Sequence, residues 1–468
     1  MSTKISINPI TRISGFMEIQ VKIENNKVVE AKSSGLLFRG FEKMLIGRSP
    51  FDAIYFTERI CGICSTAHSI TSTLALEDAL KIYPNQNDKM LRDIIHGWEF
   101  IQNHLRHFYL YTLPDFVVTP EVQPVYSNGN YDLRLPDNLN KKISQDYLEA
   151  MKYSSLAHQG LAVLGGKAPH NHGIFVGGVT ERLDASKFTH LKSLVYKIKD
   201  FIVNKMVEDV YIIADYYKDY FAMGRGYGNL MSYGAYDTYK EKELSYVYPG
   251  ILLNGMIKSF EPSKITESIY NSWYARQMVD SDLFNEDTVP NLDKPQAYSW
   301  VKSPRYEGNA MEVGPLARMI LSGNYENKIS MMDRTIARVL ETKKVIEIIE
   351  GLLERVSFEE VGQRVYEIPN SARGVGLADT TRGSLGHWIS IENKKINHYN
   401  IITPSAWNCS PTDFNGIRGV IEQSLIGTEI QNPARPVEIG RIVRSYDPCI
   451  SCATHVISDR FNPVEIIV

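Results

Sequence analysis

A mainly α-helical protein with an α+β periphery, built as a central helical bundle with N-terminal strands, is the fold class this sequence predicts, and three observations carry the prediction. Between residues 4 and 37 apolar and polar residues alternate, most clearly at Met17, Ile19, Val21 and Ile23. That is the period of half-buried strands, and Asn25-Asn26 reads as a turn between two of them. Long stretches further on carry apolar residues three and four apart, the period of helices packed along one side. Two cysteine pairs near opposite ends, Cys61-Gly62-Ile63-Cys64 and Cys449-Ile450-Ser451-Cys452, are each followed by a histidine, His68 and His455. A site drawn from both pairs can form only in the finished fold, which favours one unit over residues 1–468.

The elements follow in order. Residues 71–82 and 88–113 have helical spacing and are punctuated by Pro84 and Pro114. Residues 183–221 continue the pattern at the length of a long helix. Residues 224–249, rich in Gly and Tyr, read as strands and loops, and 328–356 as a further helix. The last hundred residues read as shorter elements broken by Gly and Pro. The sequence shows no internal repeat, low-complexity tract or linker.

Composition narrows the class. At 468 residues, with 43% hydrophobic and 22% charged residues, the chain can bury a large core. A formal net charge of -3 gives no electrostatic reason to expect nucleic acid or an anionic membrane surface. No stretch approaches the roughly 18 uninterrupted apolar residues of a spanning helix, and the N-terminus lacks the apolar core of a signal peptide. Five cysteines, four of them in metal-type pairs, do not read as a disulfide framework. A reducing compartment, the cytoplasm, is therefore expected.

Each CxxC pair by itself fits half of a structural zinc site, a redox disulfide or an iron–sulfur ligand pair. On spacing alone, a closed four-cysteine zinc site stays open. The flanks argue for more. Arg59 precedes the first pair by two residues and Asp447 precedes the second by two. Charges buried beside sulfur-bound metal are costly unless they tune the ligands or relay protons.

The runs Arg59-Ile60-Cys61-Gly62-Ile63-Cys64-Ser65-Thr66-Ala67-His68 and Asp447-Pro448-Cys449-Ile450-Ser451-Cys452-Ala453-Thr454-His455 resemble the two signatures of the [NiFe]-hydrogenase large (catalytic) subunit. The similarity covers nearly the whole chain. It takes in Pro9-Ile10-Thr11-Arg12, Phe38-Arg39-Gly40-Phe41-Glu42, His107-Phe108-Tyr109 with Asp115, and Gly165-Gly166-Lys167. Arg382-Gly383 with His387-Trp388, and Pro404-Ser405 with Trp407-Asn408, complete it. The resemblance implies the large-subunit fold and reversible heterolytic cleavage of H2 to protons and electrons at a nickel–iron centre.

By that resemblance Cys61 and Cys449 are terminal nickel ligands, while Cys64 and Cys452 bridge nickel to an iron carrying CO and cyanide. Soft thiolates suit a nickel that changes oxidation state. Arg382 matches an arginine poised over the open metal position, restrained by Asp447 and Asp115, and Cys449 is the expected proton acceptor, with Arg382 as the rival base. Arg59 and His68 are expected close to the metals. Thr403, Pro404 and Ser405 match residues around the iron's diatomic ligands. Glu42, His455 and the backbone carbonyl of Ile401 match ligands of a magnesium or similar divalent ion.

Three departures from the family pattern are expected to alter proton transfer and gas access. Ser14 stands where a proton-carrying glutamate is usual, Thr381 replaces a proline before Arg382, and Ile63 and Pro114 replace residues lining a gas passage. His104 and His107 read as packed histidines or as neighbours of the metal ligands, His170 and His172 as loop residues, and Cys409 as a buried apolar filler.

The segment 456–468 resembles a maturation extension that a dedicated protease removes after His455 once nickel-insertion proteins have loaded the metal. With only Cys409 left over, this chain holds no iron–sulfur relay, so the resemblance implies an iron–sulfur small subunit as partner, with further redox subunits possible. An export signal on that partner leaves a periplasmic or membrane-associated complex open. A hydrogen-sensing regulatory homologue is the alternative function. A non-catalytic relative of the respiratory quinone-site type lacks the four cysteines that are present here.

Overall fold

Alternation at the N-terminus produces an antiparallel sheet of β1 (Ser2–Ile7), β2 (Met17–Glu24) and β3 (Lys27–Gly35). Asn25 and Asn26 turn the chain between β2 and β3 at φ of 50° and 62°, a left-handed conformation that Asn tolerates. Met17, Ile19, Val21 and Ile23 are all buried against the main core. The computed structural model describes residues 2–119, 131–275, 279–280, 282–284, 289–326, 328–359 and 365–453. The predicted ligand and cleavage position His455 and the segment 456–468 lie outside them.

The helical layer contains α1 (Ser65–Leu80), α2 (Gln86–Arg106), α3 (Asp137–Gly165), α4 (Ala185–Phe201) and α5 (Met331–Leu353). α2 starts where Asn85 caps the Asp88 N–H at 2.7 Å. The helix expected to reach residue 113 changes pitch instead, through a π turn at His107–Thr112 and a 3₁₀ turn at Leu113–Asp115. Pro114 has no N–H to continue the ladder. The long helix expected over 183–221 is α4 continued through a π turn at Ile202–Met206 into a helix at Val207–Tyr216. α5 begins at the cap Ser330, which accepts from the Asp333 N–H at 3.1 Å.

Two of the larger features went unread in the sequence. α3 packs on α2 largely through small residues, Ala150, Ser154, Ala157 and Gly160. A Cβ on Gly160 would sit 2.5 Å from the Trp98 ring, so the close approach depends on glycine. Small side chains give little hydrophobic periodicity, which hid the helix. The second is a sheet of β4 (Ser371–Thr380), β5 (Gly383–Glu392) and β6 (Lys395–Ile402), paired antiparallel in that order. β5 is buried continuously from Gly383 to Ile391, so it lacks the alternation of a half-exposed strand.

β4 lies directly on α1. Cβ atoms on Gly374 and Gly376 would come within 2.1 Å of the Ala75 carbonyl and 2.0 Å of the Thr71 carbonyl. That contact sets the N-terminus of α1, where the first cysteine pair ends, beside the β4–β5 hairpin tip that carries Arg382. β6 leads through Thr403 into α6 (Pro404–Cys409), and α7 (Val437–Ser445) leads to the second cysteine pair. Among the described residues, no helix is long and apolar enough to cross a membrane.

Candidate metal centre

The first cysteine pair closes the loop between a short helix at Asp52–Glu58 and α1. Cys64 occupies the N-cap position of α1 but makes no side-chain cap. The carboxylate of Glu99 on α2 does so from outside, accepting from the N–H groups of Thr66 (2.7 Å) and Ala67 (2.9 Å). The Cys64 sulfur is thereby relieved of capping. Burial pushes the Glu99 carboxyl up to about 8, against the opposing pull of those N–H groups. Gln102 donates to the Ile63 carbonyl at 2.9 Å, and the Ile63 N–H donates to Cys61 Sγ at 3.3 Å.

The second pair is positioned by the N-terminal segment and by α6. Ser14 N–H donates to the Pro448 carbonyl (3.2 Å), and the Ile450 N–H donates back to Ser14 (2.7 Å). Gly15 allows this approach, because a Cβ there would meet Ser451 N at 2.6 Å and its φ is +85°. The Cys449 N–H donates to Ser405 Oγ at 2.9 Å. Ser405 thus spends a lone pair on the backbone and keeps its hydroxyl proton for another acceptor.

These supports bring together sulfurs from the two ends of the chain. The Sγ atoms of Cys61, Cys64 and Cys449 all lie within 4.8 Å of one another, and all three residues are buried. Cys61 and Cys449, 388 positions apart, are 3.4 Å apart at sulfur. Cys452 follows in the turn Ile450–Ala453; its side chain lies outside the described set. Beside the sulfurs is a cavity with room for one water-sized sphere, about 10 Å³ for its centre, lined by Cys64, His68, Arg382, Pro404, Ser405 and Cys449 among others. Clustered thiolates next to a small void fit soft, redox-active metal with an open side.

Arg382 and Asp447 face each other at this cavity. Arg382 Nη2 donates to Asp447 Oδ1 (3.0 Å) and Arg382 Nε to the Asp447 carbonyl (2.9 Å). Burial opposes the guanidinium charge, yet Asp447 and the three sulfurs hold its proton far more firmly than usual. Burial would push Asp447 up; Arg382, His107 and Arg338 prevail and hold it below the usual carboxylate range. Asp447 itself sits at φ 54°, strained for a non-glycine residue, at a point where the chain must present Cys449. Thr381 stands in the turn before Arg382. It is buried, its carbonyl lies 3.5 Å from both Arg318 and Arg338, and Thr380 Oγ1 donates to the Gly383 carbonyl at 2.9 Å.

The other expected positions divide. His68 is buried at the cavity, where burial pushes it down to about 4, and its Nδ1 lies 3.2 Å from His387 Nε2. Thr403 Oγ1 caps α6 by accepting from the Ala406 N–H at 3.2 Å. Arg59, expected close to the metals, is instead exposed at the end of its helix. The arginine that reaches both cysteine loops is Arg39, which donates to the carbonyls of Ile60 and, at 2.7 Å, Ser451.

Asp115 is also found elsewhere than expected. Its oxygens pair with Arg444 (2.7 Å) and Arg12 (2.5 Å), tying α7 to the N-terminal segment and not clasping Arg382. Burial opposes its charge, but Arg12 and Arg444 hold it down to about 2. A folded value below the ordinary one stabilises the fold above the unfolded value of about 4 and loses that stabilisation as pH falls through about 2. Thermal midpoints measured between pH 6 and pH 2 should therefore fall less steeply for Asp115→Asn than for the parent, from a lower start.

Glu42 is buried, accepts from the Ile401 N–H at 3.0 Å, and lies 3.8 Å from the Lys302 ammonium. Glu267 (3.4 Å) and Asn400 (3.4 Å) surround the same ammonium. These are hard oxygen donors, as a divalent cation requires, though Lys302 already supplies a positive charge there. Ile63 is half-buried in the first cysteine loop and Pro114 half-buried in the 3₁₀ turn. His104 bonds to Glu341 (2.7 Å), His107 to the Arg444 carbonyl (2.8 Å), and Cys409 is buried in the main core.

Comparison with known proteins settles the family. The model of the family described as nickel-dependent hydrogenase matches residues 39–124, 122–329 and 321–455. The chain belongs to the nickel-dependent hydrogenases. It is 34% identical to the periplasmic [NiFeSe] hydrogenase large subunit of Desulfomicrobium baculatum, over 97% of this chain and 95% of that one. It is 29% identical to the hydrogenase-2 large chain of Escherichia coli K12, over 99% of each. The solved D. baculatum [NiFeSe] hydrogenase superposes with a TM-score of 0.93 at 34% identity, covering 97% of this chain and all of that one. The Ni-Fe-Se hydrogenase of D. vulgaris Hildenborough gives 0.91 at 36% identity. The expected fold and activity therefore hold: this is a hydrogenase large, catalytic subunit, an oxidoreductase acting on H2. The match to a nickel-dependent family displaces the structural-zinc alternative. Selenium appears in several of those names, whereas cysteine occupies all four motif positions in this hydrogenase.

Proposed function

We propose that Cys61, Cys64, Cys449 and Cys452 would together hold a nickel–iron pair carrying CO and cyanide, Cys64 and Cys452 contributing to both metals. The convergence of the Cys61, Cys64 and Cys449 sulfurs on one buried point carries the reading. The metal pair, when bound, supplies the open position and the redox change that splitting H2 requires. Cys449 Sγ takes up the released proton. Arg382, fixed by Asp447, presents its guanidinium to the cavity and polarises the substrate there. Pro404 shapes the wall, and the Ser405 hydroxyl proton serves a diatomic ligand's nitrogen. His68 keeps one ring nitrogen bound to His387 and so holds its orientation beside the bridging sulfur.

A magnesium or similar ion is proposed at Glu42 and the Ile401 carbonyl, with His455 as a further ligand. The purified, active complex tests these assignments: elemental analysis should return nickel and iron, infrared spectra should show CO and cyanide bands, and the subunit mass should end at His455. Zinc alone, without infrared bands, would overturn the reading.

Electrons leave through an iron–sulfur small subunit, since only Cys409 remains outside the two motifs and it is buried in the core. The periplasmic relative supports a periplasmic complex, exported through its partner, in place of the cytoplasmic location expected from composition. Proton exit must differ from routes that use a carboxylate at position 14. Ser14 Oγ lies 3.4 Å from Ser451 Oγ, and neither hydroxyl carries a proton as an acid does near neutral pH. Ser14→Glu should speed proton–deuterium exchange, with the pH profile of exchange shifted; an unchanged profile would remove Ser14 from the route.

A further inference from the structure

Two arginines share one aspartate at the rim of the metal cavity. Asp447 Oδ1 accepts from Arg382 Nη2 at 3.0 Å, while Oδ2 is engaged from the other side by Asn103 Nδ2 (3.0 Å) and Arg338 Nη1 (3.4 Å). A guanidinium and a carboxylate left to themselves favour a bidentate pair, two parallel N–H···O bonds. With Oδ2 taken, Arg382 is bound by one carboxylate oxygen and one peptide oxygen. Its Nη1 keeps only a 3.5 Å contact with Thr381 Oγ1.

Arg338 is itself held in place. Its Nη1 lies 3.2 Å from His104 Nδ1. A guanidinium N–H can only donate, so Nδ1 accepts and the single ring proton sits on Nε2, directed at Glu341 Oε2 2.7 Å away. His104 is therefore neutral, in keeping with the burial that pushes it down to about 4. Glu341 in turn accepts from Arg318 Nε (2.6 Å) and Nη2 (2.8 Å) and from Tyr246 OH (2.7 Å). Both Glu341 oxygens thus accept twice, and Arg338 Nη1 also lies 3.5 Å from the Thr381 carbonyl. Arg338 and Glu341 lie three residues apart on α5 and meet Asn103 and His104 on α2.

We propose that Arg338, clamped by the His104–Glu341 pair, is a positioning residue that together with Asn103 occupies the far oxygen of Asp447 and so prevents Arg382 from closing into a bidentate pair, leaving one of its nitrogens for the cavity. The inference rests on the reading that Arg382 acts at that cavity.

The test uses Arg338→Met in the purified, metal-loaded complex, with Arg338→Lys and Glu341→Gln alongside. In the crystal structure of Arg338→Met, Arg382 should rotate into a two-bond pair with Asp447. Its kcat should fall about tenfold to a hundredfold, with little change in KM for H2, parent nickel content and parent infrared bands. Arg338→Lys, which keeps a cation near Oδ2, should recover most of the loss. Glu341→Gln, which keeps Arg338 but slackens its hold, should lie between them, and it carries the test if Arg338→Met does not fold. Arg382 unmoved with parent kcat, or a loss of turnover that follows loss of nickel, overturns the proposal. Arg382→Lys separates the two readings: parent activity there overturns the role of Arg382, whereas a large loss there beside an unaffected Arg338→Met overturns only this inference.

Discussion

Cys449→Ser is expected to abolish H2 oxidation and to leave the purified subunit without stoichiometric nickel. Cys449 lies 3.4 Å from Cys61 at sulfur and is fully buried, with its N–H bonded to Ser405. The substitution leaves this backbone support intact and replaces only a soft, ionisable sulfur by a hard hydroxyl that does not ionise near neutral pH. Both the ligand and the proton acceptor are lost at one atom. Nickel analysis and H2 uptake on the purified complex check the prediction. Full nickel with parent turnover would show that the second pair does not serve the reaction.

Arg382→Lys is expected to lower kcat about a hundredfold or more while nickel and the infrared bands stay at parent levels. An ammonium keeps the charge but cannot hold Asp447 Oδ1 and the Asp447 carbonyl together while still presenting a further nitrogen to the cavity, as the guanidinium does. Steady-state kinetics across H2 concentration should show the loss chiefly in kcat, since a small apolar gas gains little ground-state binding from the group. A loss confined to KM would instead make Arg382 a binding residue.

How far the sequence could be read follows from what each signal depends on. The strands at Met17–Glu24 and Lys27–Gly35 and the helix α2 were legible because one face of each is apolar and the other polar, and α1 and α5 through the spacing of their apolar residues, although both are buried nearly all round. α3 was not, because Ala150, Ser154, Ala157 and Gly160 bury a small-residue face. β5 was not, because it is buried on both sides. At the site, the cysteines, Arg382 and Asp447 stood out through motif resemblance. Arg39 was visible as part of a motif but without a role, since its function is to bind peptide carbonyls of two distant loops. Glu99, Asn103, Arg338 and Glu341 left no mark, being ordinary polar positions on helices until packing turns them inward. Arg59 misled for the complementary reason: nearness along the chain to Cys61 does not set the direction of a side chain at a helix end.

By itself, the order of residues determined the chemistry available here: four thiolates in two pairs, an always-charged arginine, an aspartate two residues before a cysteine, and alternating or helical stretches enough to build a core around them. These are properties of residue type and local spacing, and the chain carries them unfolded. Only tertiary structure decided which of the charges meet: that Asp447 is shared between Arg382 and Arg338, that Asp115 belongs to Arg12 and Arg444, and that Arg39 joins the two cysteine loops. Buried charges choose partners by the low-dielectric cost of remaining alone, and that cost exists only once packing has excluded water.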